Sequence, residues 1–483
     1  MGVEHVKQVG EQAGPEAARA ASPAAVASGS AAEPGPLLGR TGRVLAALFP
    51  AEPSRPRRSA RAAAGVAFGY VAAIALGAWV LLERQGGRPA WTTVWAEDRW
   101  LFLPGALVHP WSSLSQAADG YLSLLPRVVA DVVARLPLRD AAPAYAIIGA
   151  AIAAACAAFV FRACAGHVRN PALRVLLAAG VLLLPTALKA GLPDNAVNSI
   201  WYLLFVAFWA LVWRPRSRSA LAVAAIVCFA AAASNVLVAV YLPLAAARVI
   251  ALPRVREHAA TIGLLAGGAV QLLVVLFHSR HHQPTSVLDA LGFYGHNVIL
   301  PAVAGHHFGT QLTAGAGIAT ATTLAAVAVA LVVIWALVGG DARVRVFAAT
   351  ALILGLALTL TPVLVHGDVA GAEVTQQVVW AAGSRYAQVP ILLIDSLVIV
   401  AVDAYLRRGG MRFARPRRAT AVVLLAAVLG TSWVSDFRYN DLRAQQPSWT
   451  DVVSRMDQAC QQQPHGSARI GSGVSVPCSA VNS

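Results

Sequence analysis

Between residues 62 and 83 the chain reads AAAGVAFGYVAAIALGAWVLLE, with no charged side chain before Glu83. A helix of about 20 such residues bridges the roughly 30 Å hydrocarbon layer of a bilayer. Comparable runs recur at roughly 143–163, 172–190, 199–213, 219–234, 236–252, 259–277, 316–338, 346–366, 386–405 and 419–434. The mean hydropathy of +0.62 and the 57% hydrophobic content agree with them. The pattern predicts an all-α polytopic membrane protein with about 11 transmembrane helices.

The net charge of +15 does not predict a nucleic-acid partner, because the basic residues sit in short clusters between apolar runs without interleaved aromatics. Those clusters set a topology instead. RPRRSAR (55–61), RACAGHVRNPALR, RPRSRS, PRVREH, GGDARVR and RRGGMRFARPRR alternate with connections that carry acids, His, Asn and Gln. By the positive-inside rule the N-terminus is cytoplasmic and the C-terminus external, in a plasma (inner) membrane crossed many times. Residues 1–61 then form a disordered cytoplasmic tail with a short surface helix near 38–49 and a basic anchor. Residues 62–434 form the transmembrane domain, with a first external connection at 84–141. Residues 435–483 form a short external tail. No cleavable signal peptide is evident, since the first apolar run is long enough to span. Only Lys7 and Lys189 are lysines, which with the Ala and Gly excess indicates a GC-rich genome.

Cysteine usage follows the same sides. Cys156, Cys164 and Cys228 lie in or beside spans, as small apolar fillers. Cys460 and Cys478 lie in the tail, where the expected external side permits a disulfide. Within that tail WTDVVSRMDQAC sets Val452, Val453, Met456 and Cys460 at helical spacing, so a short helix is expected, serving as a cap over a site mouth.

The first external connection holds an unusual stretch, VWAEDRWLFLPGAL (94–107), which places Glu97 and Asp98 side by side among aromatic residues. Paired acids there are solvated and matched to Arg99, or they supply a catalytic base whose pKa partial desolvation raises. Further on, LLPRVVADVVARLPL puts Leu125, Val128, Val129, Val132, Val133 and Leu136 on one helical face. Arg127, Asp131 and Arg135 fall on the other. That pattern predicts an amphipathic helix lying flat in the outer interface, as a brace or as one wall of a groove open to lipid.

An acidic pair just after the first span, followed by an interfacial helix, resembles the GT-C class of integral-membrane glycosyltransferases. AEDRWLFLPGAL with DGYLSLLPRVVADVVARLP also resembles a loose bacterial group of multi-spanning proteins. In that group "ED" is followed by "GYL-xx-LPR", then an Asn/Trp span start and an "SRY" before a span. The corresponding elements here are Asp119, Gly120, Tyr121, Pro126 and Arg127, then NAVNSIWYL (195–203) and GSRYAQVP (383–390). The resemblance covers most of residues 62–450. It implies a GT-C-like fold and a polyprenyl-phosphate sugar as donor, with an envelope glycan or glycolipid as acceptor. It also implies a base at Asp98 or Glu97, with Asp98 slightly favoured and Glu97 as orienter or metal ligand. It leaves room for a divalent cation and requires no other cofactor.

The remaining connections offer binding groups. GLPDNAVNSIWY supplies Asp194, Asn195 and Asn198, suited to sugar hydroxyls or to a plain polar turn. HSRHHQPTSVLDALGFYGHNVILPAVAGHHF, read as the longest later loop, holds Arg280 with His278, His281, His282, His296, His306 and His307. The imidazoles lack an HExxH-like spacing, so a lipid phosphate at Arg280 is the stronger expectation over a metal. Arg385 stands at the mouth of a span, where an isolated cation is costly unless it meets an anion. A departing phosphate fits its planar guanidinium, as would Glu373 or Asp368. Arg127 is a third phosphate candidate. Tyr386 and Trp380 stack on a sugar or form part of the aromatic belt.

Absent motifs narrow the choice. There is no GxxxxGK[ST], so ATP-driven pumping is not expected from this chain; no dinucleotide fingerprint, GxSxG elbow or cytoplasmic nucleotide-sugar domain is present either, which favours a lipid-linked donor over a nucleotide sugar. Acids within spans are few, with Asp395 and Asp403 the visible ones, which weighs against a proton-coupled carrier. The expected function is transfer of a sugar from a polyprenyl-phosphate donor on the outer face. The alternatives are a translocator of lipid-linked sugar or solute without ATPase activity, and a catalytically silent scaffold.

Overall fold

The computed structural model describes residues 36–53, 59–184, 195–277, 285–365, 379–408, 414–438, 443–470 and 474–481. The expected disordered tail up to residue 35 and part of the basic anchor lie outside these residues. So do Asp194, Arg280, Asp368, Glu373, His278, His281 and His282. From Thr41 onward the chain forms one compact unit.

The architecture is all-α. After α1 (Pro36–Ala46) and α2 (Ala60–Arg84) the chain makes a short α3 (Leu103–Val108) and a two-residue hairpin, β1 (Ala117–Ala118) with β2 (Tyr121–Leu122). Then come α4 (Leu124–Val133), α5 (Ala141–Ala163), α6 (Pro171–Leu183), α7 (Ser199–Val212), α8 (Arg218–Ser234), α9 (Leu242–Ala251) and α10 (Ala259–Leu276). They are followed by α11 (Val287–Tyr294), α12 (Leu300–Ala316), α13 (Ile318–Gly339), α14 (Ala342–Val365), α15 (Val379–Arg408) and α16 (Ala414–Ser435). The tail adds α17 (Trp449–Gln462), β3 (Ser467–Arg469), β4 (Ser475–Pro477) and α18 (Cys478–Val481).

Seven helical stretches are long and apolar enough to cross a membrane: Ala60–Arg84, Leu138–Gly166, Val255–Leu276, Val287–Ala316, Ile318–Gly339, Ala342–Val365 and Arg385–Arg408. The fold is that of a multi-pass membrane protein. Over their described residues the expected runs coincide with helices, residues 185–190 of the run at 172–190 lying outside them, but α6, α7, α8 and α9 are shorter than a full span. Short polar residues start many of them at N-caps: Ser59 accepts from Ala62 N (3.3 Å), Asn170 from Ala172 N (2.9 Å) and Ser217 from Ala220 N (3.2 Å).

Helix α7 is buried along its whole length, so its all-round apolar sequence faces protein, not lipid. Around it, α8 and α10 come into backbone contact. A Cβ on Gly263 would lie 2.1 Å from Ala225 O, and one on Gly267 would lie 2.4 Å from Phe229 O. Only glycine permits that approach, a small-xxx-small seam of the kind that membrane helices use.

Helix ends gather in two groups. At the arginine-rich end, Arg162 pairs with Glu52 (3.0 Å) and Arg214 with Glu257 (2.8 Å). There Asp403 accepts from Arg169 N (3.1 Å) and Asn170 N (2.9 Å) and pairs with Arg407 (3.0 Å). At the other end the buried Arg84 guanidinium donates to the carbonyls of Leu182, Leu184 and Phe437. Leu122 N reaches Gln271 Oε1 (3.2 Å) and Leu125 N reaches Ser234 Oγ (3.0 Å). The first connection and the tail share this end and a single apolar core, in which Val94, Phe102, Leu103, Val129 and Val133 pack with Trp449, Val452, Met456 and Cys460. Trp449 Nε1 also donates to Leu138 O (2.6 Å), and Arg99 Nε to Ile470 O (3.1 Å). Cys460 and Cys478 are disulfide-bonded, while Cys156, Cys164 and Cys228 are free and buried. The tail therefore packs into the same apolar core as the first connection.

Two expectations are corrected. The stretch read as a long polar loop is helical from Val287 to Ala316, interrupted at Gly305, whose φ of 66° is open to glycine. A Cβ on Gly309 would sit 3.6 Å from Leu300 Cγ. Nine residues along an unbroken helix those positions would be about 13 Å apart. The two halves therefore fold back at Gly305. The second correction concerns α4. Val128, Val132 and Leu136 are its exposed stripe, whereas Arg127 and Asp131 are buried against protein. The helix is amphipathic as expected, but Arg127 and Asp131 of its charged edge face inward, while Arg135 is exposed. Where lipid is the surrounding solvent, an apolar stripe gains nothing by turning away from it.

Candidate active site

The acidic pair lies where the chain leaves Thr93–Trp95 and enters a π-turn, Asp98–Phe102. Ala96 takes a left-handed φ of 49°, an unfavourable conformation for a residue with a Cβ, and the turn is closed by Arg99 N on Ala96 O (2.9 Å). That bend sends the two neighbouring carboxylates in different directions.

Asp98 points inward and is fully buried. Its Oδ2 accepts from Ala196 N (2.8 Å) and Val197 N (3.2 Å), clamping the turn ahead of α7. Its Oδ1 has no hydrogen-bond partner among the described residues. Burial pushes its pKa up to about 8; the two amides and the Arg443 charge pull the other way, while Glu97 adds to the rise. Arg443, from the tail, is itself buried and donates to Thr93 Oγ1 (2.9 Å), Ala90 O (2.6 Å) and Thr93 O (3.1 Å).

Glu97 points the other way. Its carboxylate is 24% exposed and lies 3.7 Å from Arg385 Nη1, a loose ion pair longer than a hydrogen bond. The Arg385 guanidinium stands over the Tyr386 ring at 5.3 Å, and Tyr386 meets Trp201 edge-on at 5.5 Å. Tyr121 completes the group. The Asp119-Gly120 dipeptide, with φ of 49° and 77°, forms the tight turn of the β1–β2 hairpin, which delivers Tyr121 beside these groups. The Tyr121 hydroxyl is pushed up to about 12, first by burial, against the pull of the Arg385 charge.

Four motifs far apart in sequence are thus brought together: ED at 97–98, DGY at 119–121, NAVNSIW at 195–201 and SRY at 384–386. Asn195 and Asn198 are buried beside Asp98's amide partners, and Asn195 Oδ1 accepts from Asn198 N (2.9 Å). Their geometry is that of the polar turn opening α7. Gln388, one turn along α15 from Arg385, is fully buried, and neither of its amide atoms has a hydrogen-bond partner among the described residues. Such an amide can offer one donor group and one acceptor to a ligand.

Arg127 does not join this group as a surface phosphate ligand. It is 1% exposed, lies over the Phe102 ring at 5.2 Å and donates to Ala117 O (3.3 Å). Burial lowers its pKa to about 10, with Asp131 opposing. Arg280 and Asp194 lie outside the described residues. No group of three or more His, Cys, Asp or Glu able to hold a metal occurs among the described residues. Arg443 and Gln388 carried no sequence signal as functional residues; one sits in the tail and the other reads as part of a span. No protein-family model, curated protein or solved structure matches the chain.

Proposed function

We propose that this chain is a membrane glycosyltransferase of GT-C-like architecture, moving a sugar from a polyprenyl-phosphate donor to an envelope glycan or glycolipid on the outer face. The observation that carries the reading is the partly exposed Glu97–Arg385 pair, ringed by Tyr121, Tyr386 and Trp201, at one end of an apolar helical body. A donor phosphate competes with Glu97 for the Arg385 guanidinium, which suits a planar anion. Its arrival frees the Glu97 carboxylate to act as base. The acceptor hydroxyl attacks the anomeric carbon, its proton passes to Glu97, and the bond from that carbon to the phosphate oxygen breaks. The lipid phosphate leaves with the electron pair, held by Arg385, and the anomeric configuration inverts. General-base assistance of this kind contributes about 10²–10⁴-fold.

Burial favours Glu97 over Asp98 as the proton acceptor, reversing the preference drawn from sequence. Asp98 serves as a positioning residue that holds the α7 turn against the first connection. Aromatic faces at Tyr386 and Trp201 suit the apolar side of a sugar ring, and Gln388 suits its hydroxyls.

A second reading, translocation of a lipid-linked sugar or other solute, is favoured by the broken helix at Gly305. Vesicles containing the purified chain and a polyprenyl-phosphate hexose separate the two. The transferase reading predicts covalent product on an added acceptor, whereas leaflet exchange with no product supports translocation.

A further inference from the structure

The break at Gly305 diverts hydrogen bonds. In a continuous helix His306 N would close on Ala302 O and His307 N on Val303 O. Both amides donate to Asp436 instead, at 2.8 and 2.9 Å, from just beyond α16. The closeness is enforced: a Cβ on residue 305 would lie 1.8 Å from Ser432 Oγ. The Ala302 and Val303 carbonyls thus lose their i+4 donors at the C-terminal, negative end of a half-helix.

Ala302 and Val303 line a hollow that also contains Asp395 of α15. The rest of its wall is hydrocarbon: Val329 and Val332 of α13, Val398 of α15, and Leu425 and Leu429 of α16 among them. No hydrogen bond or ion pair occupies the Asp395 carboxyl among the described residues. Helix α13 has no ionisable residue, and neither has the 300–304 segment. On α15 the nearest charges, Arg385 and Asp403, are ten and eight residues away in sequence. A lone carboxylate sharing an apolar hollow with the negative end of a half-helix is unfavourable unless it takes up a proton or a positive ion stands beside it.

We propose that this hollow binds a small monovalent cation, held by the Asp395 carboxylate and the released carbonyls of Ala302 and Val303. One carboxylate with neutral carbonyls matches a single positive charge, whereas divalent ions take more carboxylates or retain water. Discontinuous helices whose C-terminal ends face a membrane-embedded acid are a general means of holding sodium. The site is separate from the Glu97–Arg385 pair and goes beyond the transferase reading.

The test uses the full chain in nanodiscs, with the unfolding half-life at fixed temperature read in NaCl, KCl, LiCl and choline chloride at equal ionic strength. A saturable lengthening of at least threefold in one alkali salt over choline is expected, and Asp395→Asn should abolish it. Should that variant fail to fold, modification of wild-type Asp395 by N,N′-dicyclohexylcarbodiimide decides. The same salt should slow it at least fivefold relative to choline. Equal half-lives in all four salts overturn the proposal, as does modification indifferent to the cation or governed by pH alone. None of these readouts needs sugar transfer, so they are independent of the transferase reading.

Discussion

Replacing Asp98 with Asn should remove a specific pH dependence of stability. The carboxyl titrates near 3.8 in the unfolded chain and about 8 in the folded one, because burial disfavours its charged form. The folded state therefore holds a proton that the unfolded state has already lost at neutral pH. Stability from this group is complete below pH 4 and declines as pH rises toward about 8. One pKa unit corresponds to about 1.4 kcal/mol, so the decline between pH 6 and 8 is about 2 kcal/mol. Asn keeps an oxygen for Ala196 N and Val197 N but does not ionise. Unfolding of the full chain in detergent, followed by tryptophan emission from pH 6 to 8, should show wild type losing stability relative to D98N by that amount. Parallel curves would refute the buried, protonated Asp98. Asp98→Ala, which strands two buried amides, should be about 2–6 kcal/mol less stable than D98N at every pH.

Four further substitutions probe the frame. Cys460→Ser should destabilise the tail by about 3 kcal/mol, since the bridge closes an 18-residue separation; faster proteolysis of residues 443–481, with the spans intact, is the readout. Gly305→Ala should prevent assembly of the broken helix, because its positive φ and the Ser432 Oγ contact both exclude a Cβ; loss of folded protein on size exclusion checks it. Gly263→Val should separate α8 from α10 and lower the unfolding temperature, whereas Gly268→Val, which meets nothing within 4 Å, should not.

The apolar helices and their caps were legible because long apolar runs and Ser or Asn caps act locally, but which of them are long enough to cross a membrane was not. The Cys460–Cys478 bridge was legible because both residues fall in one short tail. Which face of α4 turns inward was not legible, since periodicity fixes the residues that share a face and not what covers them. The polar content of HNVILPAVAGHHF reads as a loop, and only the tertiary contact with Asp436 makes it two half-helices. Glu97 and Asp98 are adjacent in sequence and cannot be ranked by spacing. The bend at Ala96 separates them, sending Asp98 to the Ala196 and Val197 amides and Glu97 to Arg385. Arg443 lies some 350 positions from Thr93, a pairing that no local pattern announces.

In the proposed reaction Glu97 accepts the acceptor's proton while Arg385 holds the leaving phosphate. Steady-state transfer from a polyprenyl-phosphate hexose by wild type and Glu97→Gln tests it most directly. A kcat lower by about 10²–10⁴-fold in the variant, with KM little changed, is expected. A variant that turns over within twofold of wild type would contradict it.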